Sequence, residues 1–499
     1  MKCRAQNLVI AAILLATVSM TIQLSAQNGA SVSQSPSRYK LIDLGTLGGY
    51  QSVLSPAYGS ANILTHRGAV IGSAETTLPD PFPQFCFSFY CLTMHAFEWK
   101  NGSITDLGAL PGNNNSVPFG VNEEGTAVGI SENSTVDTTT GFPAYEAVVF
   151  HHGNVINLGT FGGADSFAYA VNNWGQVAGW ALNDVPDSYA AQVGAFCVTL
   201  YCLPVTTQIR AFVWQGGKKL DLGTLGGNDA AATLINDFGM VAGVSYTDTT
   251  PDPTTHIPTQ HTFLWIGGKM IDVGGLGIAN ISILNSMNRW GQVVGISPPA
   301  DYWFHGFLWD GVKLQDLGTP LGGSWSVANF IGDDGVVVGQ ASLPGDKEFH
   351  AVTWDHGKVT DLGSLTSGGC SFGYWINARK QVIGDSTDCA GNGTGTFLWQ
   401  NGTMYDLSTL IPPTDLFLGQ VWQINDDGVI AGNAWDPNDN EHAFILVPCG
   451  DDDEAGCQNQ VLNRPAVANL STSSTRRTRR VDEPPGRFQL PAPRLAPQQ

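Results

Sequence analysis

The stretch Asp221–Gly227, DLGTLGG, recurs from one end of this 499-residue chain to the other. Asp43–Gly49 repeats it letter for letter. Drifted copies begin at Asp106 (DLGALPG), Asn157 (NLGTFGG), Asp272 (DVGGLG), Asp316 (DLGTPLGG), Asp361 (DLGSLTSGG) and Asp406 (DLSTL). The eight starts are separated by 63, 51, 64, 51, 44, 45 and 45 residues. Self-similarity at this period signals a stack or ring of supersecondary units.

Four apolar runs of strand length accompany each copy. Around the fourth they are strand b (Lys219–Leu222), strand c (Ala231–Ile235), strand d (Met240–Ser245) and strand a (His261–Trp265). The runs are rich in β-branched and aromatic residues, Gly or Asn punctuates them, and helical periodicity is nearly absent. Between c and d a turn of the form N-x-x-G returns at Asn122, Asn172, Asn236, Asn288 and Asn425. Asn opens such a turn and Gly supplies the positive φ it needs. Four antiparallel strands per unit of about 45 residues is the arithmetic of a propeller. The expectation is therefore an all-β fold, a β-propeller of eight four-stranded blades over residues 39–448. The chain enters on a strand b (Tyr39–Leu44) and leaves on a strand a (His442–Leu446), so pairing of the N- and C-terminal strands would close the ring and remove its sheet edges.

Strand direction sorts the connections. The a–b and c–d turns share one face, and the b–c and d–a loops share the other. The large length variation lies in the d–a loops, at Glu75–Met94, Ser131–Tyr145, Asn183–Gln208 and Tyr246–Gln260. Insertions confined to one face mark that face as the binding face.

The ends read differently. Lys2 and Arg4, an apolar run from Leu8 to Met20 and then Leu24-Ser25-Ala26 form the pattern of a secretory signal peptide, residues 1–26, followed by a short linker, 27–38. No other stretch is long and apolar enough for a membrane span. Residues 458–499, rich in Pro, Arg, Ser and Gln, read as a disordered tail. The chain holds 23 Lys and Arg against 43 Asp and Glu. Two basic residues lie in the leader, and seven Arg with two acids lie in the tail. The body is left with 14 basic and 41 acidic groups, near −27. That balance excludes nucleic acid as a partner, because phosphate binding needs a basic face.

Nine cysteines less Cys3 leave four neighbouring pairs, Cys86/Cys91, Cys197/Cys202, Cys370/Cys389 and Cys449/Cys457. In an exported chain these read as disulfides, the last closing an acidic loop at 449–457. Strand direction places Cys370, in a b–c loop, beside Cys389, in a d–a loop. His partners at zinc-finger spacing are absent.

Strand a carries a second repeated motif: His95-Ala-Phe-Glu-Trp99, RAFVW at Arg210, HTFLW at His261, HGFLW at His305, HAVTW at His350 and HAFIL at His442. With DLGTLGG and G-x-V-V-G it resembles the HAF-repeat family of bacterial extracellular proteins over residues 39–448. Two units depart from it, at Glu146 (EAVVF) and Gly395 (GTFLW). The resemblance implies export and a repeat β fold. It supplies no catalytic activity and no functional residues.

No nucleophile motif, P-loop, zinc-protease or dinucleotide fingerprint appears, so no catalytic or metal residues are assigned. Eight equivalent Asp or Asn residues at the head of D-L-G read as structural acceptors of backbone hydrogen bonds. The repeated His reads as a structural residue. No cofactor is expected. Calcium is the exception to weigh, since the turns at Asp333-Asp334-Gly335 and Asn425–Gly428 carry extra acids, but they lack the spaced ligands of a calcium loop. Loop aromatics are the candidate ligand contacts: Phe85, Phe87, Phe89 and Tyr90 at one tip, and Tyr302, Trp303 and Phe304, after Asp301, at another. The expected function is a secreted binding or interaction module. Its ligand, carbohydrate or extracellular protein, would sit on the face of the long loops. An extracellular polysaccharide hydrolase or lyase using Glu75, Glu132, His151 or His152 is the alternative, and a structural surface protein a third.

Overall fold

The computed structural model describes residues 38–54, 62–112, 114–138, 141–187, 189, 205–253, 257–277, 281–299, 303–450 and 457. The segments expected as signal peptide and tail, most of the expected linker, Cys197, Cys202, Asp301 and Tyr302 lie outside them. The described residues form eight four-stranded antiparallel sheets and no α-helix. Each sheet is one blade with strand order c-d-a-b. Blades I to VII span residues 52–108, 116–157, 162–221, 230–274, 283–316, 326–363 and 370–406. Blade VIII takes c, d and a from residues 417–448 and its outer strand from Tyr39–Asp43. There Leu41 pairs with Leu446 and Asp43 with Phe444. The strands at the two ends of the described repeat thus complete one blade and close the ring.

Repeat residues explain why each blade packs as it does. Strand c is buried on both sides and packs against the c strands of neighbouring blades, while strand b is largely exposed. The Phe of H-A-F is fully buried in six blades: Phe97, Phe212, Phe263, Phe307, Phe397 and Phe444. Each such ring is worth roughly 1.5–3 kcal/mol of apolar burial. It lies against the first glycine of strand d. At Gly243 an added Cβ would sit 2.0 Å from the Ala231 carbonyl and 2.8 Å from the Phe263 ring. Strand c bulges opposite that glycine, between Ala232 and Leu234, and the bulge returns at the same place in six other blades. A bulge increases local twist, which a radial blade requires.

Neighbouring blades are joined by serine. The strand-c Ser accepts the amide one residue past the strand-a His in the preceding blade. Ser116 takes Ala96 N at 2.9 Å, Ser326 takes Gly306 N at 2.9 Å and Ser371 takes Ala351 N at 2.7 Å. The c–d turns form a second belt. Each turn Asn accepts two amides within its own turn and donates Nδ2 to a carbonyl of the next. The donations run from Asn122 to Asn172 (3.0 Å), Asn172 to Asn236 (3.0 Å), Asn288 to Gly332 (3.1 Å), Asn377 to Asn425 (2.9 Å) and Asn425 to Thr65 (3.2 Å).

One expectation about the loops is corrected. Glu75–Met94, Ser131–Tyr145, Asn183–Gln208 and Tyr246–Gln260 are not loops throughout. Strands d and a continue past an irregularity in the ladder and pair again, at Pro79/Leu92, Val136/Pro143, Pro186/Thr207 and Pro251/Pro258. In blades II and IV the insertion is mostly a hairpin arm; in blade I the strands pair again only at Pro79/Leu92, and in blade III the residues between Pro186 and Val205 lie largely outside the described ones. The proline ends the pairing because it has no N–H to donate.

Candidate functional site

The face with the b–c and d–a connections, the loop face, holds every D-L-G head. Each of the eight accepts the amide two residues on, from Gly45 to Asp43 (2.9 Å) through Ser408 to Asp406 (2.8 Å). This is the structural role expected of them. In four of these blades the same carboxylate meets the H-A-F imidazole eleven residues earlier. His95 Nδ1 lies 3.0 Å from Asp106, His261 2.8 Å from Asp272, His305 3.0 Å from Asp316 and His350 2.9 Å from Asp361. Arg210 fills the same place against Asp221 at 3.0 Å. Of the two departing units one changes both members, Glu146 facing Asn157 rather than a second carboxylate, and the other keeps Asp406 and loses the side chain at Gly395. Burial pushes the Asp106, Asp272, Asp316 and Asp361 carboxyls up. Hydrogen bonds from the His ring and the following Gly amide outweigh it and hold all four below their ordinary value.

The ring-closing pair differs. His442 stands between Asp43 (Nδ1 to Oδ2, 3.3 Å) and Asp436 (Nε2 to Oδ2, 3.7 Å), and all three side chains are buried. Above them the Cys86–Cys91 disulfide tightens the blade I loop tip. Its aromatics divide. Phe85 packs on Phe142 and Phe87 on Tyr145, with centroids 4.5 and 6.0 Å apart, so these two anchor the loop to blade II. Phe89 is 81% exposed and meets Tyr90 edge-on at 5.2 Å. Tyr90 lies 4.5 Å from Tyr50 and donates its hydroxyl to Asn440 Oδ1 at 2.7 Å, which ties blade I to the d–a loop of blade VIII. Burial raises the Tyr90 pKa, and the negative charges of Glu75 and Asp436 raise it further. Trp303 and Phe304 are half-buried in the d–a connection of blade V.

A row of buried carboxyls runs beneath the loops of blades I to IV. Glu75 is fully buried and accepts the Tyr50 and Gln51 amides; burial lifts its pKa against their pull. Glu132 accepts Asn115 N and Nδ2 at 2.9 and 3.0 Å, and burial raises it to about 7. Asn115 also donates to Asp80 at 2.9 Å, binding blades I and II. Asp165 accepts Tyr145 N at 2.8 Å and is raised by burial to about 7. Asp229 is raised by burial and by sharing a hydrogen bond with the Asp187 carboxyl.

The enzyme candidates do not converge. His151 and His152 belong to an a–b turn, and His151 Nδ1 bonds Thr126 Oγ1 of a c–d turn at 2.8 Å. They lie on the opposite face from Glu75 and Glu132, because an a–b turn cannot share a face with the loops that follow strand d. Among the described residues no group of three or more His, Cys, Asp or Glu could hold a metal ion. The disulfides Cys370–Cys389 and Cys449–Cys457 are present, the first joining strand c to the d–a loop of the same blade.

No protein-family model matches the chain, and no curated protein matches it. Among solved structures it is similar to the β-propeller domain of the trilobed protease from Pyrococcus furiosus: 9% identity and TM-score 0.36, over 72% of this chain and 97% of that one. It is also similar to dipeptidyl peptidase 4 of Porphyromonas gingivalis, with 9% identity and TM-score 0.38, over 80% of this chain and 64% of that one. A gluconolactonase from Xanthomonas campestris matches at 10% identity and TM-score 0.25, over 68% and 97%.

Proposed function

We propose that this chain is a secreted ligand-binding propeller of the HAF-repeat type, and that its ligand docks on the loop face where blade I meets blade VIII. The observation that carries the reading is Phe89, 81% exposed beside Tyr90 and Tyr50, with the exposed Asp439 close to the same Tyr90 and the buried Glu75 and Asp436 adding negative potential beneath it. Of the two ligand classes, charge favours a protein segment rich in Lys or Arg over a carbohydrate. In the a–b and c–d turns Arg67, Lys100, Lys218, Lys269, Arg289, Lys313, Lys358, Arg379 and Lys380 balance Glu123, Glu124, Asp237, Asp310, Asp333, Asp334, Asp355, Asp426 and Asp427, so the acidic surplus of the body falls on the loop face. Exposed rings flanked by carboxylates hold guanidinium and ammonium groups by cation–π contact, about 0.5–1 kcal/mol each, and by long-range attraction.

The test is titration of the full chain with Arg- and Lys-rich peptides and with neutral glycans, at low and high salt, with and without calcium. Peptide affinity is expected to fall with salt and to drop about tenfold in Phe89→Ala at unchanged melting temperature; Tyr90→Ala should lose affinity too, together with the Asn440 bond between blades I and VIII. A glycan held equally at both salt concentrations, and lost in the same variants, would replace the protein ligand with a carbohydrate. Export is tested by sequencing the N-terminus of the released protein, expected at Gln27. A second reading, an extracellular hydrolase, draws on Glu132 and Asp165, whose values near 7 suit a proton donor at neutral pH. Product release during the glycan titration, abolished in Glu132→Gln, would establish it.

A further inference from the structure

We propose a second binding site on the opposite, turn face: an arc of three aromatic rings that takes a neutral polysaccharide chain. The rings are the third residues of three successive c–d turns, Trp174, Phe238 and Trp290, in blades III, IV and V. They are 71%, 61% and 58% exposed.

Fold stability accounts for part of this arrangement and leaves the rest unexplained. Trp174 Nε1 donates to Asp237 O at 2.9 Å and Trp290 Nε1 to Asp333 O at 2.8 Å, so each indole seals the neighbouring turn. That task does not need a ring, because Arg379 performs it in blade VII by donating to Asp427 O at 3.3 Å. Phe238 has no donor to offer. It is nevertheless aromatic, exposed and stacked on Trp290, with centroids 6.0 Å apart and planes 29° from parallel. An apolar side chain held in water between two tryptophans is a cost to the free protein, and exposed apolar clusters of this kind mark interaction sites.

The chemistry selects the ligand. The indole N–H bonds hold two of the rings in place, so little side-chain entropy is lost on binding. Beside the rings stand planar hydrogen-bonding groups. Asn173 Nδ2 donates to Asp237 at 2.8 Å, and Arg289 lies 3.7 Å from Asp333 and stacks over Trp290 at 5.6 Å. Flat apolar faces edged by carboxylate, amide and guanidinium groups match a pyranose ring, which has apolar C–H faces and an equator of hydroxyls. With Arg289 set against Asp333 and Asp237 beside them, the arc has no basic surplus to attract an anionic polymer. The site is independent of the loop-face reading, and shares no residue with it.

The experiment is affinity electrophoresis and calorimetry of the full chain against soluble mixed-linkage β-glucan, xylan, xyloglucan and amylose, with alginate as the anionic comparison. At least one neutral polymer is expected to bind and alginate to be rejected. Phe238→Ala should lower that affinity tenfold or more at unchanged melting temperature, since Phe238 makes no side-chain hydrogen bond. Trp174→Arg retains a donor to the next turn, as at Arg379, and should lose affinity as well. Phe89→Ala should leave glycan binding untouched, which separates this site from the loop face. No binding to any neutral polymer, or binding indifferent to Phe238→Ala and Trp174→Arg, overturns the proposal. So does concentration-dependent self-association that Phe238→Ala abolishes, which would make the arc an interface between copies of this chain.

Discussion

At the residue scale the three repeated motifs answer three separate physical needs. The Asp of D-L-G accepts the turn amide and also holds the H-A-F side chain, as at Asp272 with Gly274 and His261. The eleven-residue spacing of that pair is visible in the sequence, and so is the paired change to Glu146 and Asn157. Reading each motif alone missed the link. The strand-d glycine is a packing requirement. Gly243→Ala would press a methyl into backbone at 2.0 Å, where nothing flexible can give. It is expected to cost about 1–3 kcal/mol, toward the upper end. Chemical denaturation checks this, and a loss under about 0.5 kcal/mol would mean that the bulged strand c yields.

At the element scale the c–d turn ties one blade to the next. Asn377 accepts Arg379 N and Gln381 N at 3.0 Å and donates to Asn425 O at 2.9 Å, the last two bonds in a buried setting. Asn377→Ala leaves the buried Gln381 amide without this acceptor, at about 1–3 kcal/mol, and removes the bond to the next turn, whose Asn425 carbonyl keeps the Gly428 amide. A fall in denaturation midpoint is therefore expected, and Asn377→Asp, which keeps the acceptor, should lose less. Equal losses in the two variants would place the value of this residue in its Nδ2 bond between blades. The hairpin arms of blades II and IV were read from sequence as long loops. Their length was legible, but their pairing was not, since an irregular ladder breaks the alternation that signals a strand.

At the scale of the whole molecule, closure and charge decide stability. Removing residues 38–43 strips blade VIII of its outer strand and exposes the edge of Glu441–Pro448. The truncated protein is expected to melt well below the full chain and to aggregate on heating; an unchanged melting temperature would mean that three strands suffice to hold the ring. The carboxyls set opposing pH limbs. Asp106, Asp272, Asp316 and Asp361 have folded values below 3.8, so their contribution is present above that value and lost as pH falls through the folded ones. Glu132 and Asp165 run the other way. The folded state binds their protons more tightly than the unfolded chain does, so their contribution is complete in acid and lost as pH rises to about 7. Thermal melts should peak at acidic pH, between the two limbs, decline up to about pH 7 and level off above it. Glu132→Gln and Asp165→Asn should flatten the decline; an alkaline limb unchanged in both would assign it to other groups.

The sequence by itself determined the repeat, the strand directions and the closure, and pointed to eight blades over seven. These follow from periodicity and strand direction, which are local and additive along a chain. The Asx role of the D-L-G head was legible for the same reason. Only the tertiary structure decided how the loop aromatics divide, with Phe85 and Phe87 turned against blade II and Phe89 left in water. It alone brought Trp174, Phe238 and Trp290 into one arc. Those relations join residues on different blades, and their distances are set by how the sheets pack around the ring, which no single repeat encodes.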